Sequence, residues 1–396
     1  MFEQLEMATA DPILGLTEAF KADENPEKIN LGVGVYKDEA GATPVMTSVK
    51  KAEAKILEQE TTKNYLPMQG SSEYAVAVQE LLFGAGSETI SSKRAATAQT
   101  PGGTGALRMA GELIKQVNPK ARLWVSDPTW ANHNGIFGSA GIELSTYPYY
   151  NTNSKCLDFD AMVAGIKEIP AGDVILLHGC CHNPTGLDPN EEQWHHLATL
   201  ITQRKIFPLF DFAYQGLATG IDEDATGLRL FAQNVPEMLI ANSYSKNFGL
   251  YSERVGGLTI VCGSQQEAQT AFSHLKLTIR RCYSNPPSHG GAIVATIMAD
   301  KTLRAEWETE VSQIRLRIKE MRELFVKTLK TKGVRDDFSF IARQNGMFSF
   351  SGLTKYQVEK LKQDYSIYIV DSGRINVAGM THGNMDQLCE AIASVL

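Results

Sequence analysis

No stretch of this 396-residue chain stays apolar for the length a bilayer-spanning helix needs, so no membrane partner is expected. No basic run offsets the net charge of −7, which argues against a nucleic-acid partner. Cysteines are few and scattered: Cys156, Cys180, Cys181, Cys262, Cys282 and Cys389 follow no disulfide-framework spacing and read as free thiols of a reducing compartment. The opening Met1-Phe2-Glu3-Gln4-Leu5-Glu6 has neither the basic segment and apolar core of a secretion signal nor the arginine-rich character of a transit peptide. The expected location is cytoplasmic. Internal repeats and low-complexity tracts are absent, and the one glycine-rich turn is followed by no Lys-Ser/Thr pair, which excludes a Walker A loop.

Length predicts two packed lobes with interior enough to bury a cofactor. Short apolar runs alternate with helical patterns through the middle of the chain. Leu123-Trp124-Val125 ends at Ser126-Asp127-Pro128; residues 174–177 run into His178-Gly179-Cys180-Cys181-His182-Asn183-Pro184-Thr185-Gly186. Leu209-Phe210 runs into Asp211, Leu239-Ile240-Ala241 into a lysine-bearing segment, and residues 258–261 follow. Such runs, bounded by Gly, Pro, Asn and Asp, predict an α/β fold whose mostly parallel central sheet is flanked by helices. One helix carries start signals: Asp188 as N-cap, Pro189 at the first position and Glu191 at a capping-box spacing. Leu303, Trp307, Val311, Ile314, Ile318, Met321, Phe325 and Leu329 recur at helical spacing and predict a long helix capped by Asp300 and ended by Gly333. It joins the sheet domain to a smaller α+β domain with strands at 347–350, 367–370 and 375–378 and a turn at 371–373. The segment 32–36 is expected to complete that domain.

The polar residues of interest lie just beyond the carboxyl ends of the apolar runs, where open α/β sheets place ligands. Lys246 follows the run 238–241 among Ser243, Tyr244 and Ser245, with Arg254 eight residues on. A Schiff-base lysine whose cofactor phosphate is held by Ser243, Ser245 and Arg254 explains this pattern better than surface solubility does. A lysine of this kind with a phosphate beside it predicts pyridoxal 5′-phosphate as cofactor, and its other needs have candidates. Asp211 can face a protonated pyridine nitrogen. Tyr214 and Asn183 can reach the ring oxygen. Gly102, Gly103 and Thr104, opening a helical pattern, can cradle the phosphate. Trp130 can cover a face of the ring. Each has a plainer use when taken alone: Asp211 as a turn or cap residue, Asn183 as turn geometry, Trp130 as core. One ligand accounts for all of them together.

These residues, with Gly32-Val33-Gly34-Val35-Tyr36, Ser284-Asn285-Pro286-Pro287 and Ser372-Gly373-Arg374-Ile375-Asn376, resemble the class I, fold-type I pyridoxal-phosphate aminotransferases over essentially the whole chain. Among these the resemblance is strongest to the bacterial aspartate group. Ser252 departs from the usual Gly, Asn, Ala or Arg, at the flank of the lysine motif. The resemblance implies transamination between L-aspartate and 2-oxoglutarate by a ping-pong route, with aromatic amino acids as secondary substrates. Lys37, Thr43, Asn64 and Asn285 keep the polar character of the aspartate group.

The same resemblance gives further residues their roles. Lys246, Asp211 and Tyr214 are catalytic. Arg374 holds the substrate α-carboxylate, with Gly34, Trp130 and Asn183 nearby. Arg280 reaches from a second subunit to the distal carboxylate, and Tyr65 to the neighbouring cofactor phosphate, so a homodimer shares its active sites. His133 and His178 tune Asp211. The implied division is an arm over 1–12, a small domain from 13–46 and 312–396, and a large cofactor domain over 47–311. A lyase or decarboxylase would use the same lysine and aspartate. A metal hydrolase built on His178, Cys180, Cys181 and His182 conflicts with an extended segment, on which adjacent residues face opposite ways, and no metal is expected. A non-enzymatic cofactor-binding regulator lacks a DNA-binding segment.

Overall fold

A computed structural model describes residues 1–7 and 12–396, with the side chains of 12–14 left aside. The chain divides into two compact units, Pro44–Leu316 and Met1–Thr43 with Arg317–Leu396. Of the arm expected over 1–12, residues 8–11 lie outside the described residues; Met1, Phe2, Leu5 and Met7 are exposed.

The larger unit is built on seven strands: β1 (Ala95–Pro101), β2 (Leu123–Asp127), β3 (Leu144–Pro148), β4 (Val174–His178), β5 (Phe207–Phe212), β6 (Met238–Ser243) and β7 (Val255–Val261). Their spatial order is β1-β7-β6-β5-β4-β2-β3. The run from β6 to β3 is parallel, while β7 is antiparallel to both its neighbours. The expected mostly parallel sheet is thus present. Strands β4, β6 and β7 are buried along their whole length, as continuous apolar runs in a covered sheet must be. Strand order reverses between β2 and β4, and a ligand crevice opens outside the carboxyl ends at such a reversal. Register sets His178 beside Asp211, and Asp211 beside Ala241.

Helix α1 (Gly102–Val117) leaves β1 with no intervening loop. Gly102 has φ +72, and a Cβ there would come 2.4 Å from the Arg254 guanidinium. A Cβ on Gly256 would lie 2.5 Å from the Gly102 carbonyl carbon. Only residues without side chains let β7 and the start of α1 approach this closely.

Helix α2 (Glu191–Arg204) corrects the expected cap. Asn190 is the N-cap, its side chain accepting from Gln193 N while the Gln193 side chain accepts from Asn190 N. Asp188 is used elsewhere: its two carboxylate oxygens accept the backbone N–H groups of Cys181 and His182 at 2.9 Å each.

Helix α3 (Lys301–Thr331) follows the expectation. Asp300 accepts from Thr302 N and Leu303 N, and Gly333 ends the run at φ +81. Leu303, Trp307, Val311, Ile318, Met321, Phe325 and Leu329 are buried. No helix among the described residues is long and apolar enough to cross a membrane.

In the smaller unit, Ile29–Asn30 pairs parallel with Ile367–Tyr368, and Phe348–Phe350 pairs antiparallel with Arg374–Asn376. The segment 32–36 belongs to this unit and forms no strand. The Asn376 side-chain amide donates to Val33 O at 2.7 Å and Val35 O at 2.9 Å, replacing a ladder. Val377–Gly379 likewise turns into a short 3₁₀ helix rather than extending the last strand.

Candidate active site

The larger unit gathers its candidate residues at the carboxyl ends of β2, β4, β5 and β6. Lys246 sits in the turn after β6, its Nζ 5.1 Å from the centre of the Tyr214 ring. Burial pulls its ammonium down to about 8; the Asp211 carboxylate resists that fall, and Arg254 adds to it. A lysine in this state is about a tenth neutral at pH 7, far more than an ordinary lysine, and is a competent nucleophile or base.

Asp211, near the end of β5, lies 3.0 Å from His133 Nε2. Burial works against its charge. The His133 hydrogen bond and the proximity of His133, His178 and Lys246 nevertheless hold the carboxyl below its ordinary value. With Asp211 ionised, His133 Nε2 is the donor, and Thr129 Oγ1 meets the other nitrogen at 2.8 Å. Burial, reinforced by His133, drives His178 down to about 3 against the pull of Asp211. His178 is therefore neutral. Its Nδ1 accepts from Asn183 N at 3.1 Å, so its proton is on Nε2. A metal ion at His133, His178 and Asp211, whose ligand atoms lie within 4.8 Å, would need that same Nε2 as a lone pair.

Asn183 is buried, and its Nδ2 donates to the Tyr214 hydroxyl at 3.4 Å. Trp130 stands edge-on to His133, ring centres 5.2 Å apart. Ser243 and Ser245 are buried and bonded Oγ to Oγ at 3.2 Å; Arg254 Nη1 reaches Ser245 Oγ at 3.5 Å. Facing them is the first turn of α1, with Gly103 so close that a Cβ would lie 3.1 Å from Ser243 Cβ. The first N–H groups of a helix have no intrahelical acceptor. Those of Gly103 and Thr104, the two serine hydroxyls and the Arg254 guanidinium make an anion cradle that admits a phosphate and has no room for added side chains. An anionic aromatic ligand with a cationic ring nitrogen fits this donor set: phosphate at the cradle, nitrogen at Asp211.

Tyr65 and Arg280 are brought together elsewhere. Both line a cavity of about 810 Å³ with Tyr283, Ser284 and Asn285. Tyr65 is 90% exposed, and Arg280 donates to Ser284 Oγ. Among the described residues neither shares a hydrogen bond with the Lys246 group.

In the smaller unit, Arg374 is buried, donates from Nη2 to Gly32 O at 2.6 Å, and sets its guanidinium 4.3 Å over the Phe348 ring. Gly34 passes the same ring, where a Cβ would come 2.5 Å from Phe348 Cζ. Phe348 escaped the sequence reading, which saw only a strand residue.

The ground for setting a thiol metal site aside needs correction. Cys181 has φ +51, so the segment is not extended, and Cys180, Cys181 and Asp224 offer ligand atoms within 4.8 Å. Asp224 is nonetheless occupied: its carboxylate accepts from the backbone of Gly216, Ala218, Thr219 and Gly220, closing that loop. Burial, with Cys181 alongside, pushes the Cys180 thiol far up, which keeps it inert.

Residues 26–392 match the family described as aminotransferase class I and II. The chain is 58% identical to the aspartate aminotransferase of Escherichia coli K12 over 396 residues, covering all of both. It is 45% identical to the aromatic-amino-acid aminotransferase of Pseudomonas aeruginosa, covering all of this chain and 98% of that one. A solved structure of the Burkholderia pseudomallei aromatic-amino-acid aminotransferase, covalently bound to pyridoxal phosphate, superimposes with a TM-score of 0.97 at 46% identity, covering 100% and 99% of the two chains. The expected mostly parallel fold of this family is the one observed, and the chain belongs to the class I and II aminotransferases.

Proposed function

We propose that this protein is a pyridoxal 5′-phosphate-dependent aspartate aminotransferase, exchanging amino groups between L-aspartate and 2-oxoglutarate to give oxaloacetate and L-glutamate. The observation that carries the reading is a depressed Lys246 beside an ionised Asp211, next to an anion cradle, at the carboxyl ends of one sheet. The 58% identity to an aspartate aminotransferase supports aspartate as substrate, and the similarity to aromatic enzymes supports aromatic amino acids as secondary ones.

When bound, the cofactor supplies an aldehyde that takes up the amino group and a protonated ring that accepts the electron pair left as the substrate Cα–H bond breaks. The chain does the rest. Ser243, Ser245, Arg254 and the Gly102–Gly103–Thr104 turn hold the phosphate. Asp211, kept anionic by His133, retains the proton on the ring nitrogen. Tyr214 and Asn183 steady the ring oxygen, and Trp130 covers one face. Lys246 would be the covalent anchor for the aldehyde, and its free amine would take the proton from the substrate Cα and deliver it to the former aldehyde carbon, a 1,3 shift. Arg374 receives the α-carboxylate as a bidentate pair, beside Gly34. Arg280 of a second copy receives the distal carboxylate, and Tyr65 of a second copy the phosphate. The reading therefore includes a homodimer with shared sites, in the cytoplasm, and keeps the arm, small and large domains set out above.

The test is spectroscopic. Purified protein supplied with pyridoxal phosphate is expected to absorb in the visible range, and aspartate to convert that band to the shorter-wavelength amine form with release of a 2-oxo acid. A colourless protein, or a band indifferent to aspartate and 2-oxoglutarate, defeats the reading.

A further inference from the structure

The crevice between β2 and β4 is spanned by one side chain to which the proposed chemistry gives no task. His182 is buried, in the loop after β4. Its Nε2 lies 2.8 Å from Ser126 Oγ, at the end of β2, and its Nδ1 lies 2.8 Å from Thr185 Oγ1. Its ring stacks on Tyr149, with centres 3.9 Å apart and planes 13° from parallel, and covers His178 on the other side at 4.2 Å.

The protons in this chain can be assigned. Burial, with His178 and His133 nearby, drives His182 well below its ordinary value, so the ring is neutral and carries one proton. Ser126 spends its hydroxyl proton on Pro128 O at 2.9 Å, so toward His182 it can only accept. His182 therefore donates from Nε2. Its Nδ1 must accept, and Thr185 is the donor there while its oxygen receives Leu187 N at 3.3 Å. Every bond points the same way: Leu187 N–H to Thr185, Thr185 to His182, His182 to Ser126, Ser126 to Pro128 O.

The two ends of this relay are the two loops that carry ring-contacting candidates. Pro128 is two residues before Trp130, and the Trp130 carbonyl accepts from His133 N. Asn183 directly follows His182, and its own N–H is fixed on His178. We infer that His182 is a positioning residue: its Nε2–H bond to Ser126 sets the spacing across the crevice between Trp130 and Asn183, and so the width of the slot that receives the cofactor ring. This rests on the pyridoxal-phosphate reading above. The Thr185 arm lies within one turn and fixes the tautomer; only the Ser126 arm joins the two loops.

That distinction supplies the experiment. The amide nitrogen of glutamine stands where Nε2 stands, whereas asparagine reproduces only the Nδ1 side; both lose the stacking on Tyr149 and His178 equally. Cofactor-free wild type, His182→Asn, His182→Gln, Ser126→Ala and the Ser126→Ala/His182→Asn double variant are titrated with pyridoxal phosphate by absorbance. His182→Asn and Ser126→Ala are each expected to weaken binding about tenfold, the double variant no further than the weaker single, and His182→Gln to recover most of the loss. In cofactor-free wild type, ¹⁵N-histidine spectra should show a slowly exchanging Nε2–H for His182, with no titration between about pH 5 and 8. If His182→Asn does not fold, Ser126→Ala and the spectra decide alone. Wild-type affinity in Ser126→Ala, additive losses, a glutamine variant as weak as asparagine, or a proton on Nδ1 would each overturn the assignment while leaving the enzyme reading intact. Wild type that takes up no pyridoxal phosphate overturns both.

Discussion

Two faces of the larger unit hold candidate residues in opposite conditions. At the strand ends, Asp211, Asn183, Ser243, Ser245 and His133 are bonded to one another's neighbours and largely withdrawn from water. At the Tyr65–Arg280 face, one side chain is 90% exposed and the other, itself exposed, holds a neighbouring serine. Pre-organisation in the first place is supplied by this chain alone. A tyrosine exposed beside an arginine in a cavity of about 810 Å³ gains nothing from its own fold, which is what residues serving a second copy look like before assembly. Under the proposed homodimer, the site would be half rigid scaffold and half surface completed by a second copy.

The most damaging substitution should fall on the rigid side. Lys246→Ala is expected to bind pyridoxal phosphate without the absorbance of the lysine-bound form and to lose turnover by about a thousandfold or more, since nucleophile and proton carrier vanish together. Stopped-flow absorbance with aspartate checks this, and retained turnover would refute the role. Asp211→Ala should cost about a hundredfold or more in kcat, because the carboxylate that keeps the ring nitrogen protonated is gone. Restoration of the rate by a pyridine-N-methylated cofactor analogue would locate the loss at that proton.

The exposed side should behave differently. Arg280→Ala is expected to raise KM for aspartate about a hundredfold, the worth of a charge-assisted pair at roughly 3 kcal/mol, while stability stays near wild type. A sharper form mixes two defective variants, assayed at aspartate far below the raised KM of Arg280→Ala. Co-expressed Lys246→Ala and Arg280→Ala chains should form hybrid dimers that recover aspartate turnover neither parent shows, because one site of each hybrid holds Lys246 of one chain and Arg280 of the other. Mixed chains with no recovery would place both residues in a single-chain site, or Arg280 in none.

Much of this was legible in the sequence because the buried parallel strands are uninterrupted apolar runs, and because the lysine motif is local. What was missed follows a rule. Strand β1, Ala95–Pro101, reads as polar, yet Thr97 is satisfied across the pair by Thr259 at 2.9 Å and Gln99 by the Pro287 carbonyl. The cap of α2 went to Asn190 rather than Asp188, because both Asp188 carboxylate oxygens are taken by the Cys181 and His182 N–H groups. Period-based reading cannot assign an aspartate to a loop seven residues behind it, as with Asp188 and Cys181. Ser126 and His182 are 56 positions apart and are joined by a topological reversal that no local pattern encodes.

The last expected effect is a change in acid stability from His178, and its sign follows from burial. The folded pKa is about 3 against an ordinary 6.5, so between these values the unfolded chain binds a proton that the folded chain refuses. Stability from this group is complete above 6.5 and drains away as pH falls toward 3. His178→Gln removes the titration, and glutamine can still present an oxygen or nitrogen near Asp211. Urea unfolding of cofactor-free protein should therefore show a shallower loss between about pH 6.5 and 4 for the variant than for wild type, with the curves parallel above 7. The same comparison at Arg280, on the exposed face, should show no change in slope. A variant at His178 that followed the wild-type slope would mean the imidazole accepts its proton in place, beside the Asp211 carboxylate.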